Sequence, residues 1–150
     1  MRAAFQVMVI PYKITDHIPY YAVFRRSDAG YCQFVAGGGE GEETFTEAAL
    51  RELREETGIT AGSIIQLETI SSVPKSFFRS HAGRKDIYVI PEYCFAVKLT
   101  DEEIKLSSEH TEYSWERYGS ARDMLKYDGN RTALWELDEK IRDGVMFNVQ

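Results

Sequence analysis

The sequence predicts an α/β chain in which a mixed sheet carries helices on both faces. Three observations lead there: strand-like runs open the chain, one strongly punctuated helix is inserted after the third run, and two helical segments close it. Further strand-like runs lie between the inserted helix and the last two, so the sheet is completed late in the chain.

The elements follow in order. Ala4 to Tyr12, Tyr20 to Arg25 and Cys32 to Val35 are apolar, aromatic or β-branched runs of strand length. Gly37, Gly38 and Gly39 then predict a loop without side chains, where backbone can come close to a ligand. Thr44 is placed as a helix N-cap, and Glu47 three residues on completes a capping box. Gly58 stands where a left-handed residue ends a helix. Between these limits Phe45, Ala49 and Leu53 recur at spacing four, so one flank of the helix docks on the core. Strands are predicted at Ser63 to Ser71, at Ile87 to Val97 and, briefly, around Tyr113 to Trp115. Helices are predicted at Ser120 to Lys126 and at Arg131 to Arg142, the last with Leu134, Leu137 and Ile141 on one face and Asn130 as its N-cap.

Composition narrows the class. The chain has 150 residues, 43% of them hydrophobic, which suffices for a real core, and no Pro/Gly/Ser-rich linker or repeat divides it. One domain spanning residues 1–150 is expected. The net charge of -6 argues against a nucleic-acid partner, because that binding relies on Lys and Arg neutralising phosphates. No apolar stretch reaches membrane-span length, and the opening MRAAFQVMVIPYK reads as a strand and not as a signal peptide. Cys32 and Cys94 both fall in apolar strand-like runs, which predicts reduced, buried thiols in a cytoplasmic protein. A monomer or homodimer is expected.

The chemistry concentrates on the inserted helix. Glu52, Glu55 and Glu56 stand at i, i+3 and i+4, so all three share one helical face. A charge run is ordinarily a solvated face. Here the like charges repel unless something positive stands among them, and oxygen ligands without His or Cys select a hard cation such as Mg2+ or Mn2+.

The segment GGGEGEETFTEAALRELREETGI, from Gly37 to Ile59, resembles the signature of the Nudix hydrolases: Gly, five residues, Glu, seven residues, Arg-Glu, an aliphatic residue, any residue, Glu-Glu, any residue, Gly, aliphatic. Gly37, Glu43, Arg51, Glu52, Leu53, Glu55, Glu56, Gly58 and Ile59 fill every specified position. The resemblance implies a Nudix-type α/β/α sandwich and a metal-dependent pyrophosphohydrolase. It further implies that Glu52, Glu55 and Glu56 bind the metal, that Arg51 holds the glutamates through ion pairs, that Glu43 supports them, and that the Ala36 carbonyl is a further ligand. Gly37 and Gly38 would approach the substrate. Glu52 is a candidate general base, and in SSEHTEYSW, which resembles a later region of several relatives, Glu109 is the preferred alternative base or metal ligand over Glu112. His110 is read as a packed histidine and not as a ligand.

The substrate is less legible. In KSFFRSHAGRK, Lys75, Arg79 and Arg84 alternate with Phe77 and Phe78, which suits a stacked ring and phosphates but equally a solvated hairpin connection. QFVAGG, EHTEYSW and NRTALWEL look most like the branch acting on dATP and dihydroneopterin triphosphate. EHTEYSW also resembles the dinucleoside tetraphosphate hydrolases, although Ser76, Phe77 and Phe78 occupy the approximate place of their tyrosine marker. Pro74, 15 residues after Ile59, has the spacing seen in ADP-ribose pyrophosphatases. A nucleotide-sensing module on the same fold is the non-enzymatic alternative. Sensors generally lose signature glutamates, and all are present here.

Overall fold

The computed structural model describes residues 2–145. Its strands are β1 (Arg2–Thr15), β2 (Ile18–Arg26), β3 (Cys32–Gln33), β4 (Val35–Glu40), β5 (Ile65–Pro74), β6 (Val89–Lys98) and β7 (His110–Glu116). The helices are α1 (Phe45–Thr57), α2 (Tyr118–Met124) and α3 (Asp128–Arg142).

β1 is the spine of the sheet. It pairs in parallel with β6 from Gln6↔Glu92 to Tyr12↔Lys98, and antiparallel with β2 and β4. The resulting order is β3-β2-β1-β6-β5, with β4 on β1 and β7 on β2. The β1–β2 hairpin closes through Asp16 and His17, both at positive φ (53° and 68°), as a two-residue turn of matching twist requires.

The two-residue period of β1 explains the layers. Met8, Ile10 and Tyr12 are buried with Leu134, Leu137 and Ile141 of α3, whereas Val7 and Val9 are buried with Ala48, Ala49 and Leu53 of α1. Both faces of the central strand are therefore apolar, and a helix covers each. The expected α/β/α sandwich with a mixed sheet is what forms. Each fully buried aliphatic side chain here contributes about 1.5 to 3 kcal/mol.

The capping box on α1 is complete: Thr44 Oγ1 accepts from Glu47 N at 3.1 Å, and Glu47 Oε1 accepts from Thr44 N at 2.8 Å. Gly58 ends the helix at φ 76°, where its N–H donates to the Arg54 carbonyl. Phe45 is only partly covered, stacked on Tyr93 at 3.8 Å between ring centroids. Cys32 and Cys94 are free and buried, as expected.

The structure corrects two expectations. Gly37 to Gly39 are not a loop but the middle of β4, paired with β1. They stay side-chain-free because a Cβ on Gly37, Gly38 or Gly39 would meet the side chain of Glu52, Arg2 or Phe5, respectively. Asn130 is not the N-cap of α3, which begins at Asp128 after a Tyr127 that makes no side-chain cap bond. Asn130 is instead buried in the first turn, its Oδ1 accepting from Phe34 N at 3.3 Å. Tertiary contact claimed the amide that local pattern had assigned to the cap. β5 also runs three residues past the expected Ser71, and α2 starts two residues earlier than expected.

Candidate active site

Arg51 organises the acidic face. Its Nε and Nη2 donate to the two oxygens of Glu43 at 2.7 and 3.0 Å, and its Nη1 donates to Glu52 at 2.9 Å and Glu55 at 3.0 Å. Nη2 also reaches the Gly38 carbonyl at 2.8 Å, which ties α1 to β4. The bidentate contact with Arg51 holds the Glu43 carboxyl below its usual range. A positive group does stand among the crowded carboxylates, and in this structure it is a guanidinium.

Glu52 and Glu56 face inward. A Cβ on Gly37 would lie 2.1 Å from Glu52 Cδ, so only glycine lets that carboxyl rest against the strand. Burial pushes the Glu52 carboxyl up to about 7 against the opposing pull of Arg51. Glu56 is 2% exposed and accepts from Ala36 N at 3.2 Å through Oε2, while its Oε1 is buried without a partner. Burial, with the neighbouring Glu109 carboxyl adding to it, pushes Glu56 up to about 10. Beside a Glu56 that keeps its proton, Glu109 is held below the usual carboxylate range.

Glu109 arrives from the far end of the chain by register. His110 opposes Arg26 across β7 and β2, and the Glu109 carbonyl accepts from Ser27 N at 2.8 Å. Three residues on, Glu112 is exposed and paired with Arg25 at 3.0 Å. Glu109 lines the main cavity, together with Ala36, Gly37, Gly38 and Glu52; Glu112 does not. His110 heads β7, 4% exposed, with its ring 5.4 Å from that of Phe24.

These residues suit a divalent cation. The donor set is carboxylate and carbonyl oxygen, and the Glu56 and Glu109 carboxyls stand close enough to hold a proton between them, where a cation could stand instead. As the side chains stand, no three acidic, His or Cys groups among the described residues converge closely enough to ring one ion. Arg51 holds Glu52 and Glu55 toward itself.

The cavity measures about 860 Å³, and aromatic residues line it as well as the carboxylates. Tyr31 precedes β3 and Tyr127 precedes α3. A parallel bridge between Cys32 and Leu125 brings them together, with rings edge to face at 5.4 Å and hydroxyls 3.3 Å apart. Lys126 Nζ stands 4.5 Å from the Tyr31 ring centroid. Arg26 donates to both oxygens of Asp28 at 2.8 Å, and both residues line the same space. Phe77 also lines it, 58% exposed. Lys75, Arg79 and Arg84 are not among its lining residues: Lys75 Nζ donates to the Arg84 carbonyl, Arg84 pairs with Asp86, and Arg79 is exposed. The cationic and aromatic lining that sequence reasoning missed, Arg2, Arg26, Tyr31, Lys126 and Tyr127, lies in three separate stretches of the chain. Lys126–Tyr127 just ahead of a helix was the nearest thing to a local signal.

A carboxylate face on a capped helix, a glycine-rich strand against it and a cavity alongside define a hydrolase site of the Nudix kind. The chain matches the NUDIX domain over residues 9–135 and belongs to that family. A Listeria monocytogenes NUDIX hydrolase structure is 42% identical, covers 94% of this chain and 96% of its own, and superposes with a TM-score of 0.86. The rat asymmetrical bis(5'-nucleosyl)-tetraphosphatase is 34% identical over 96 residues, which are 63% of this chain and 60% of the rat enzyme. This chain thus matches under two thirds of that relative. The Escherichia coli dihydroneopterin triphosphate pyrophosphohydrolase shares the fold at 23% identity, covering 91% of this chain and 97% of its own, with a TM-score of 0.76. No helix among the described residues is long and apolar enough to cross a membrane.

Proposed function

We propose that this Nudix hydrolase is a single-domain, Mg2+- or Mn2+-dependent pyrophosphohydrolase that cleaves a nucleoside or dihydroneopterin triphosphate to the monophosphate and pyrophosphate. The observation that carries the reading is one cavity lined by carboxylates, cations and aromatic rings together. Such a space suits a molecule with a phosphate tail and a flat ring.

Glu52, Glu55, Glu56, Glu109 and the Ala36 carbonyl would hold the cation. Bound there, it would neutralise phosphate charge and lower the pKa of a coordinated water. Arg51 keeps Glu52 and Glu55 oriented, and Glu43 anchors Arg51 from the other side. Gly37 and Gly38 leave the phosphates room beside the strand. Glu109 is the group we assign as proton acceptor from the attacking water, with Glu52 as the alternative. Lys126, Arg26 and Arg2 border the same space and offer cations for the substrate's charge.

A second reading, a dinucleoside tetraphosphate hydrolase, is favoured by the 34% identity to the rat enzyme. Product analysis with Mg2+ separates them. Pyrophosphate and a monophosphate from GTP, dATP or dihydroneopterin triphosphate support the first. A mononucleoside triphosphate and a monophosphate from diadenosine tetraphosphate, with triphosphates untouched, support the second. Release of AMP from ADP-ribose alone would move the assignment to that pyrophosphatase branch, and binding without cleavage would make the chain a sensor. The acidic charge supports a reading without a nucleic-acid partner, and the free buried thiols are consistent with a cytoplasmic location.

A further inference from the structure

The floor of the cavity carries a polar row across four strands. Gly38 of β4 opposes Gln6 of β1, Gln6 opposes Glu92 of β6, and Glu92 opposes Ser71 of β5. Directly opposed residues share a face of the sheet, and all four line the cavity. Gln6 is already engaged, since its Oε1 accepts from Arg2 Nη2 at 2.8 Å. Glu92 differs. It is 8% exposed, and its carboxyl has no hydrogen-bond or ion-pair partner among the described residues. Its oxygens are not sealed from the cavity they line, so they stand as acceptors open to a ligand, and the active-site carboxylates do not explain this one.

Position limits what Glu92 can do. It stands two strand spacings, roughly 10 Å, from Gly38, whose neighbour Gly37 packs against Glu52. That interval leaves room for a sugar and phosphates between Glu52 and a ring edge at Glu92. The rings of Tyr31, Tyr127 and Phe77 supply flat apolar walls to the same cavity.

We propose that Glu92 reads the substrate's ring by accepting hydrogen bonds from two adjacent N–H donors, the 2-amino-4-oxopyrimidine edge shared by guanine and pterins. An ionised carboxyl is acceptor-only, and its two oxygens match a ring N–H beside an exocyclic amine. Adenine and cytosine set a donor beside an acceptor on that edge, so one carboxylate oxygen would oppose a lone pair. Burial pushes Glu92 up to about 7, which is the direction expected of a carboxyl waiting for donors. The proposal rests on the ring-plus-phosphate reading of the cavity and names the ring.

The test reads binding and not hydrolysis. GMP, AMP and neopterin are titrated calorimetrically into the full chain in chelator, for wild type, Glu92→Gln and Glu92→Asp. Wild type is expected to prefer GMP or neopterin over AMP by about 10-fold or more, the scale of one good bidentate pair. Glu92→Gln, which turns one acceptor into a donor, is expected to erase that preference by weakening GMP and neopterin while AMP stays level or tightens. Glu92→Asp keeps acceptor-only chemistry and should keep the sign of the preference. Preference for neopterin alone assigns the edge to a pterin, and for GMP alone to guanine. Equal affinity for GMP and AMP, no binding of any of the three, or a uniform loss in Glu92→Gln would overturn the proposal. A chain that binds GMP through Glu92 but leaves triphosphates intact would refute pyrophosphohydrolysis and not ring recognition. Cleavage without ring preference would refute ring recognition alone.

Discussion

Glu109 and Glu112 sit three residues apart in one polar stretch, yet one lines the cavity beside Glu56 and the other is paired with Arg25 outside it. Glu109→Gln is therefore expected to depress turnover by roughly 100-fold or more, the scale of a lost general base. Glu112→Gln, which removes one exposed ion pair, should change little. Steady-state rates on the preferred substrate decide it, and equal small effects would return the base role to Glu52. Glu92 has a separate consequence for stability. Its folded value of about 7 lies above the ordinary glutamate value of 4.5, so between those limits the folded chain binds more protons than the unfolded one. Stability from this group is present at acid pH and lost as pH rises through about 7, a cost on the order of 3 kcal/mol. Urea unfolding should find Glu92→Gln more stable than wild type at mildly alkaline pH, with the difference closing toward pH 4. A difference that grows toward acid pH would contradict the sign.

At the scale of elements, α3 is fastened to the sheet by polar contacts that the apolar pattern conceals. The β5–β6 ladder shifts register between Gln66 and Ile70. Glu136 of α3 meets that irregularity, its oxygens accepting from Glu68 N at 2.6 Å and from Thr69 N and Oγ1 at 2.8 and 2.6 Å. Lys140 closes the group against Glu136 at 2.7 Å. Glu136→Ala would strand two backbone donors in a partly buried place, at a cost of about 1 to 3 kcal/mol for each unsatisfied group. Calorimetric melting should show a large loss for Glu136→Ala, and little change for Glu139→Ala, one turn position away. Tyr21 makes a second tie, donating to Asp138 at 2.6 Å across the layers.

For the whole molecule the organising fact is that carboxylates share one cavity with cations in a chain of net charge -6. A divalent ion that relieved that crowding would bind the folded chain and not the unfolded one, so it should stabilise. At a concentration 100 times its dissociation constant the gain is about 2.7 kcal/mol. Melting temperature is expected to rise with Mg2+, to fall back with chelator, and to respond weakly in Glu56→Gln. The same shift in wild type and Glu56→Gln would place the ion elsewhere.

The acidic face, the capping box, the left-handed Gly58 and the strand character of Ala4 to Tyr12 were all legible in the sequence. Each is decided within one or two helical turns or by a period of two, so neighbours along the chain suffice to set it. Tertiary structure decided the rest. It put Gly37 to Gly39 into a strand by pairing β4 with β1, where Glu52, Arg2 and Phe5 fill the space a Cβ would need. It moved Asn130 from a cap to the Phe34 backbone. It brought Tyr31 to Tyr127 and Glu109 to Glu56, and left Glu92 facing a cavity without a partner. These juxtapositions depend on strand register and on which linker crosses which strand, and a one-residue slip would turn each of those strand side chains to the opposite face. The class of chemistry is thus written locally on one helix, while the cavity beside it is built by residues that meet only when the sheet closes.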